Sequence, residues 1–349
     1  MRVVTPLWVL LQFQLALALR HSQPSIGRGG TGPQQKTVLH LLFLLRRHLP
    51  HADVWKRFLS DAPPGSWQAW AHCTDRARCV GDASLKVFPM QVVPTVRSQW
   101  TVDLVTPTVR LMRSALEAGG PRPGAVEKFV VLSDSALPVK PFAVVYRELA
   151  RSHESDYCFN NPSKWGQGKV RGREYALPMH FQWTVLNRTD AAGLVRRWPG
   201  PRRQSKMFNV TMPDGTTVPR RQFQGGPVSA DEDVYTLVHG PMELVPHGER
   251  EQMRRFREQH SRCRTYVVFI PDLRAGSSLG SERFRVTEEI LKDPFTVYNG
   301  AAQYTHPIEY LRVGGRFMHA LRTSNYLFAR KFAPDMSTFG WAAAMFTGG

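Results

Sequence analysis

Cysteine is scarce in this sequence, with four in 349 residues (Cys73, Cys79, Cys158 and Cys263). They are too few and too scattered for a domain held by a disulfide framework. A structural zinc site wants two close pairs, and only one exists, so metal is not expected. That pair, Cys73-x5-Cys79, could close a small loop in an oxidising compartment. Acidic residues are also in short supply. Against 46 Lys and Arg stand 28 Asp and Glu, giving a net charge of +18, and no acid precedes Asp53. Such a surface attracts nucleic acid, anionic lipid, nucleotide-sugar phosphates and acidic glycans alike, so charge alone does not choose among them. No nucleic-acid-binding motif accompanies the charge, and nucleic acid is not an expected partner. Long apolar runs are missing too. Pro6–Leu19 is interrupted by Gln12 and Gln14, and Thr37–Leu45 has nine residues. Both fall short of the roughly 20 needed to span a bilayer. No internal repeat is evident.

What is present suits a core. Hydrophobic residues make up 42% of the chain, with 19 Phe and 9 Trp, which excludes a disordered protein. Arg2, the apolar segment and Arg20 read as a signal-peptide core or short signal anchor over 1–22, with an organelle transit peptide as the competing reading. Residues 23–36 read as a flexible Gly, Ser, Pro and Gln-rich stem, and 37–345 as the folded domain. The sequons Asn187-Arg-Thr189 and Asn209-Val-Thr211 agree with a secretory route.

The most informative stretch is 129–142. Phe129–Leu132 is apolar without alternation, as in a strand buried on both faces of a mostly parallel sheet. It stops at Ser133-Asp134-Ser135, and Pro141 then opens a helix over 141–151. This places a small polar loop at the carboxyl edge of a sheet, where open α/β folds bind ligands. A polar turn without a ligand is the other reading.

Around it the pattern predicts a strand at 38–45, a helix near 52–60, strands at 67–72 and 92–94, a helix over about 102–118, and a short strand at 156–159. The alternation signals a parallel sheet with crossover helices. Residues 160–177 read as a mobile basic loop, 182–188 as a strand, and Thr189-Asp190 as the cap of a helix ending near Trp198. The stretch 199–229 looks like a surface insertion. Asp231–His239 is a short helix closed by Gly240, 248–262 a charged helix, and 265–269 a strand.

Six stretches in order resemble one family. They are Leu42-Phe-Leu-Leu-Arg-Arg-His-Leu-Pro50 with Val54-Trp-Lys-Arg-Phe58, then Trp100 with its helix, and Phe129-Val-Val-Leu-Ser-Asp-Ser-Ala-Leu-Pro-Val139. Gln182-Trp183-x-x-Leu186-x-Arg188, Asp231-Glu-Asp-Val-Tyr235 and Leu327-Phe-Ala-Arg-Lys-Phe332 follow. Together they look like the core-2/I-branching glycosyltransferases of family 14, especially the plant and algal branch, over residues 37–335. The resemblance implies an α/β fold of the Rossmann-type, GT-A nucleotide-sugar kind, with a mostly parallel central sheet flanked by helices. It implies a type II Golgi membrane enzyme with a luminal catalytic domain. The reaction would be inverting and metal-independent, moving a sugar from a UDP-sugar to a glycan or glycoprotein hydroxyl. N-acetylglucosamine, glucuronic acid and xylose are all used by relatives. A non-catalytic polyanion- or glycan-binding member of the same fold is the alternative.

By the same resemblance Glu232 is the catalytic base. Read from the residues alone, three acids at a helix start complement the helix dipole. The dipole lowers the carboxylate pKa, while acidic neighbours and burial raise it. Ser133-Asp134-Ser135 offers one carboxylate where a metal would want two, so Arg330 and Lys331 are expected to hold the donor diphosphate, with Arg312 and Arg322 as further candidates. Ser133 and Asp134 would border the donor. Trp183 would stack on a sugar, and Lys164, Lys169 and Arg171 would contact the acceptor. The bland readings are a core tryptophan, a solvated loop, and a Lys/Arg pair at a helix end.

Overall fold

The structure is a computed structural model that describes residues 37–98, 103–120, 124–170, 173–198, 207–211, 217–221, 230–240, 242–244, 249–271, 304–307 and 309–346. Val38–Leu45 forms the first strand, β1. It is followed by α1 (Ala52–Phe58), β2 (Trp67–Cys73), α2 (Arg76–Gly81), α3 (Ala83–Val87), β3 (Gln91–Val92), α4 (Val105–Gly119), β4 (Glu127–Ser133), β5 (Leu137–Pro138) and α5 (Phe142–Ala150). The second half runs β6 (Gly166–Val170), β7 (Arg173–Leu177), β8 (Val185–Asn187), α6 (Arg188–Arg197), β9 (Met207–Thr211), β10 (Thr217–Arg221), α7 (Val234–His239) and β11 (Met242–Leu244). It ends with α8 (Glu249–His260), β12 (Thr265–Tyr266), β13 (Phe269–Pro271), β14 (Tyr304–Pro307), α9 (Gly315–Thr323), β15 (Phe328–Ala329) and α10 (Trp341–Phe346).

The central sheet has the order β3-β2-β1-β4-β8, parallel except where β8 joins β4. Its inner strands β1 and β4 carry the apolar runs Leu41–Leu45 and Phe129–Leu132, because helices cover both faces. The period of two survives in which core each side chain enters. Leu39, Leu41, Phe43, Val130 and Leu132 pack with Trp55 of α1 and with α5. Leu42, Phe129 and Val131 pack with α4 and α6. A third core surrounds the small sheet β12-β15-β5, with Trp341, Phe332 and Tyr310. Trp55 is fully buried, contacts Phe43, Phe58, Phe88 and Phe328, and donates its indole N–H to the carbonyl of Ala136 at 3.2 Å. It thereby fixes the turn after β4 against the sheet.

From β1 the chain moves outward to β2 and β3, then crosses back to β4 on the other side. The gap between the carboxyl ends of β1 and β4 is therefore the topological switch point, where open α/β sheets leave a crevice.

Several expectations are corrected. Residues 156–159 are not a strand of the parallel sheet but make single bridges to Val185, Ser261 and His180, because β8 takes the edge of β4. The supposed basic loop 160–177 is a 3-10 turn, Pro162–Lys164, and the antiparallel hairpin β6–β7, which β11 extends. Pro141 is the N-cap of α5 rather than its first residue. The cap of α6 is Asn187, whose side-chain oxygen accepts the N–H of Asp190 at 2.8 Å, so Thr189 and Asp190 lie in the first turn. The asparagine of the first sequon thus has a structural task. Part of the insertion pairs as β9–β10. Both cysteine pairs form disulfides, Cys73–Cys79 and Cys158–Cys263. The expected leader (1–22), stem (23–36) and Trp100 lie outside the described residues. Among the described residues no helix is long and apolar enough to cross a membrane.

Burial holds the imidazoles of His51 and His72 below their ordinary value, against the opposing backbone hydrogen bonds to Ala333 and Val96. A histidine depressed in the folded state is protonated first in the unfolded chain. Its stabilising contribution is complete above the ordinary value of about 6.5 and is lost as pH falls below it. Asp231, raised to about 6 by burial, acts in the opposite sense. The expected outcome is that wild type loses more Tm between about pH 7 and about pH 5 than a His51→Gln/His72→Gln variant. Equal losses in thermal melts would remove these histidines as the cause.

Candidate functional site

The carboxyl ends of β1 and β4 carry Arg46 and the turn Ser133-Asp134-Ser135. The N–H of Asp134 bonds the carbonyl of Leu44 at 3.2 Å, which ties the turn to the neighbouring strand. Arg46 Nε lies 3.5 Å from Asp134 Oδ2, an ion pair across the switch point. The hydroxyls of Ser133 and Ser135 are buried and 3.1 Å apart.

β15 delivers the cations. It runs parallel to β12 and antiparallel to β5, aligning Phe328 with Pro138 and Ala329 with Leu137. The N–H of Phe332 then bonds the carbonyl of Ser135 at 3.0 Å, and that of Arg330 the carbonyl of Tyr266 at 2.9 Å. Arg330 and Lys331 therefore follow a strand and do not end a helix. Helix-dipole complementarity, the bland reading of this pair, does not apply.

Arg330 lays its guanidinium over the ring of Trp183, 4.1 Å from the centroid. Among the described residues its Nε meets no hydrogen-bond acceptor. Burial pushes its pKa down to about 10, with the Asp134 and Glu309 carboxylates opposing and Arg46 adding to the fall. It remains a cation at neutral pH, held by a π face and nearby carboxylates. Lys331 Nζ lies 3.2 Å from Glu309 Oε1.

The acid turn is Ala230–Asp233, a 3-10 turn leading into α7, which Gly240 closes with φ 85°. Asp231 and Asp233 are buried, while Glu232 is half-buried. Its connection to the cations runs through residues 180–183. The backbone N–H of His180 donates to the carbonyl of Glu232 at 2.9 Å, and Trp183, three residues later, stacks on Arg330.

The structure thus brings the Ser133-Asp134 turn, Arg330 and Trp183 together, with Lys331 next to Arg330 in the chain and its ammonium on Glu309. Trp183 is buried with the Arg330 guanidinium over its ring, which makes it a shelf for the cation. Arg322 is turned elsewhere, donating to the carbonyl of Ala344 at 3.1 Å near the end of α10. Arg312 is exposed in the approach to α9. Lys164 is exposed in its 3-10 turn. Lys169 lies in β6, and Arg171 lies outside the described residues. Sequence reasoning missed Arg46, Glu309 and His180. Arg46 was findable, because it follows β1 as Asp134 follows β4. Glu309 and His180 carry no sequence signal of their own. Among the described residues no group of three or more His, Cys, Asp or Glu is arranged to hold a metal ion.

No protein-family model matches the chain, and a search of curated proteins finds no match either. The site must be read from its chemistry.

That chemistry suits an anion. The Arg46–Asp134 and Lys331–Glu309 pairs are partly exposed and contribute about 0–1 kcal/mol each, so a competing anion can displace the carboxylates. A hydrogen bond to a charged group contributes about 1.5–3 kcal/mol. Arg330→Met is expected to weaken pyrophosphate binding about 10- to 100-fold in calorimetry. Trp183→Leu, which removes the shelf and keeps an apolar side chain in the core, should cost a smaller factor of about 3–10. Unchanged affinity in both variants would show that pyrophosphate does not bind here.

Proposed function

We propose that this protein is an inverting, metal-independent glycosyltransferase of the GT-A kind, similar to the core-2/I-branching family, and that it acts on a UDP-sugar. The observation that carries the reading is the position of Arg330 near Asp134 at the switch point, with Lys331 following it in the chain and paired with Glu309. Fixed guanidinium and ammonium groups there can take the charge that develops on departing UDP. The Asp134 carboxylate is already committed to Arg46, which suits it to ordering a cation more than to ligating one.

In the reaction the Glu232 carboxylate accepts the proton of the acceptor hydroxyl as that oxygen attacks the anomeric carbon. The bond from that carbon to the β-phosphate oxygen breaks on the opposite face. UDP departs with the electron pair, which Arg330 and Lys331 stabilise, and the anomeric configuration inverts. The connection from Glu232 through His180 and Trp183 to Arg330 supports assigning base and diphosphate site to one crevice. The donor is a UDP-linked N-acetylglucosamine, glucuronic acid or xylose, and the acceptor a glycan or glycoprotein. The proposed setting is the Golgi lumen, with the amino-terminal segment in the membrane.

Glu232→Gln is expected to lower turnover by about 10²–10⁴ while leaving UDP affinity unchanged. Lys331→Ala should weaken UDP binding about tenfold in EDTA. Both are read with a panel of UDP-sugars and a chelator present. Retained turnover in the glutamine variant would remove Glu232 as the base. Absence of UDP binding, together with salt-sensitive heparin binding, would favour the non-catalytic polyanion binder.

A further inference from the structure

Helix α7 begins directly after the acid turn, and Asp233, its N-cap residue, makes no side-chain hydrogen bond to cap it. The acceptor comes from a distant segment instead. Nε2 of His180, a fully buried residue, receives the N–H of Tyr235 at 3.0 Å. Nδ1 of the same ring lies 2.7 Å from the carbonyl of Phe181. These partners fix the tautomer. A backbone N–H can only donate, so Nε2 must carry a lone pair. A carbonyl can only accept, so Nδ1 must carry the proton. The ring is neutral, with both nitrogens committed. The main chain of His180 adds a third contact, its N–H to the carbonyl of Glu232. One residue therefore brackets the turn, holding it at Glu232 and again at Tyr235.

We propose that His180 is a positioning residue for Glu232, and that acidification releases the turn by protonating the imidazole. This rests on the reading of Glu232 as the base. A second proton at Nε2 sets N–H against N–H, so the trans cap becomes a repulsion. The turn then loses the contact that orients the Glu232 carboxylate toward the acceptor. The effect has a route to the cations as well, since Trp183 lies three residues beyond His180 and carries Arg330.

Tyr157 packs against the His180 ring with centroids 5.1 Å apart, and Phe159 at 6.3 Å. Burial pushes the hydroxyls of Tyr157 and Tyr235 upward, so both stay neutral. The Tyr157 hydroxyl lies 3.5 Å from His239, which pairs with Asp190 at 3.3 Å. The turn itself carries Asp231, Glu232 and Asp233, and among the described residues Arg257 donates to the carbonyl of Phe159 at 3.2 Å. His239 and the acids are ionisable too, so the test must isolate His180.

His180→Gln does so, because its side-chain carbonyl can still accept from Tyr235 and does not titrate. His180→Leu removes the acceptor. The first readout is hydrogen exchange of the Tyr235 amide, expressed as protection relative to the intrinsic rate at each pH. Between about pH 7.5 and about pH 5, wild type should lose about tenfold in protection while the glutamine variant changes by less than about twofold. The second is turnover near neutral pH. The glutamine variant should stay within about threefold of wild type, and the leucine variant should lose about 10- to 100-fold in kcat with UDP affinity unchanged. Protection that is independent of pH in wild type, or that falls equally in the glutamine variant, overturns the proposal. Should the leucine variant fail to fold, the other two proteins still decide. If Glu232→Gln retains turnover, the base reading fails, whereas the exchange measurement still reports whether His180 holds the turn.

Discussion

Two residues of strand, Phe328 and Ala329, hold the candidate site together. Their pairing with Pro138 and Leu137 brings a segment from the end of the chain to the loop after β4, nearly two hundred residues earlier. Backbone hydrogen bonds continue the pairing on both sides, from Val139 to Leu327 and from Phe332 to Ser135. Packing makes the short ladder rigid. Phe328 stacks against Trp55 at 6.1 Å, and Phe332 meets Trp341 edge-on at 5.0 Å. Trp341 also donates its indole N–H to Pro138. With Trp55 bonded to Ala136, two buried tryptophans hold carbonyls two residues apart in the segment after β4.

The charges follow from this frame. Arg46, Arg330 and Lys331 converge on Asp134 and Glu309, and none of the cations is deeply neutralised. Weak, partly exposed pairs would suit cations that exchange carboxylates for a phosphate in the proposed reaction, because little is lost when the pair opens. Arg330 differs, since its stacking on Trp183 orients it before any ligand arrives, and preorganisation of this kind contributes most to charge stabilisation. The surrounding excess of basic residues would raise the encounter rate of an anionic substrate at low salt.

A second connection supports the frame from below. Cys158–Cys263 joins the segment after α5 to the approach to β12, and Arg264 bonds Asp156 at 2.9 Å beside it. The carbonyl of Arg264 in turn accepts from Leu327 and Phe328. A crosslink between residues 105 apart reduces the entropy of the unfolded chain by roughly 4–5 kcal/mol in the loop-closure view. It does so at the strand that receives β15.

The sequence by itself determined the layers. The apolar runs at 38–45, interrupted only by His40, and at 129–132 are strands with helices on both faces, and the polar triplet after the second run lies at the sheet's carboxyl edge. These follow from local composition, which burial on two faces dictates. The short helix read as Asp231–His239 and its glycine stop were legible, although its first turn, up to Asp233, is 3-10 and the α-helix starts at Val234. What sequence could not show was pairing across long separations. Residues 160–177 look like a solvated loop because a hairpin among glycines and basic residues has no apolar stripe, and only β11 completes it. The tertiary structure alone decided that Arg330 rests on Trp183, that Arg322 serves a helix end, and that His180 caps a helix fifty residues away. Each depends on where a side chain's partner lies in space, and backbone propensity carries no record of that.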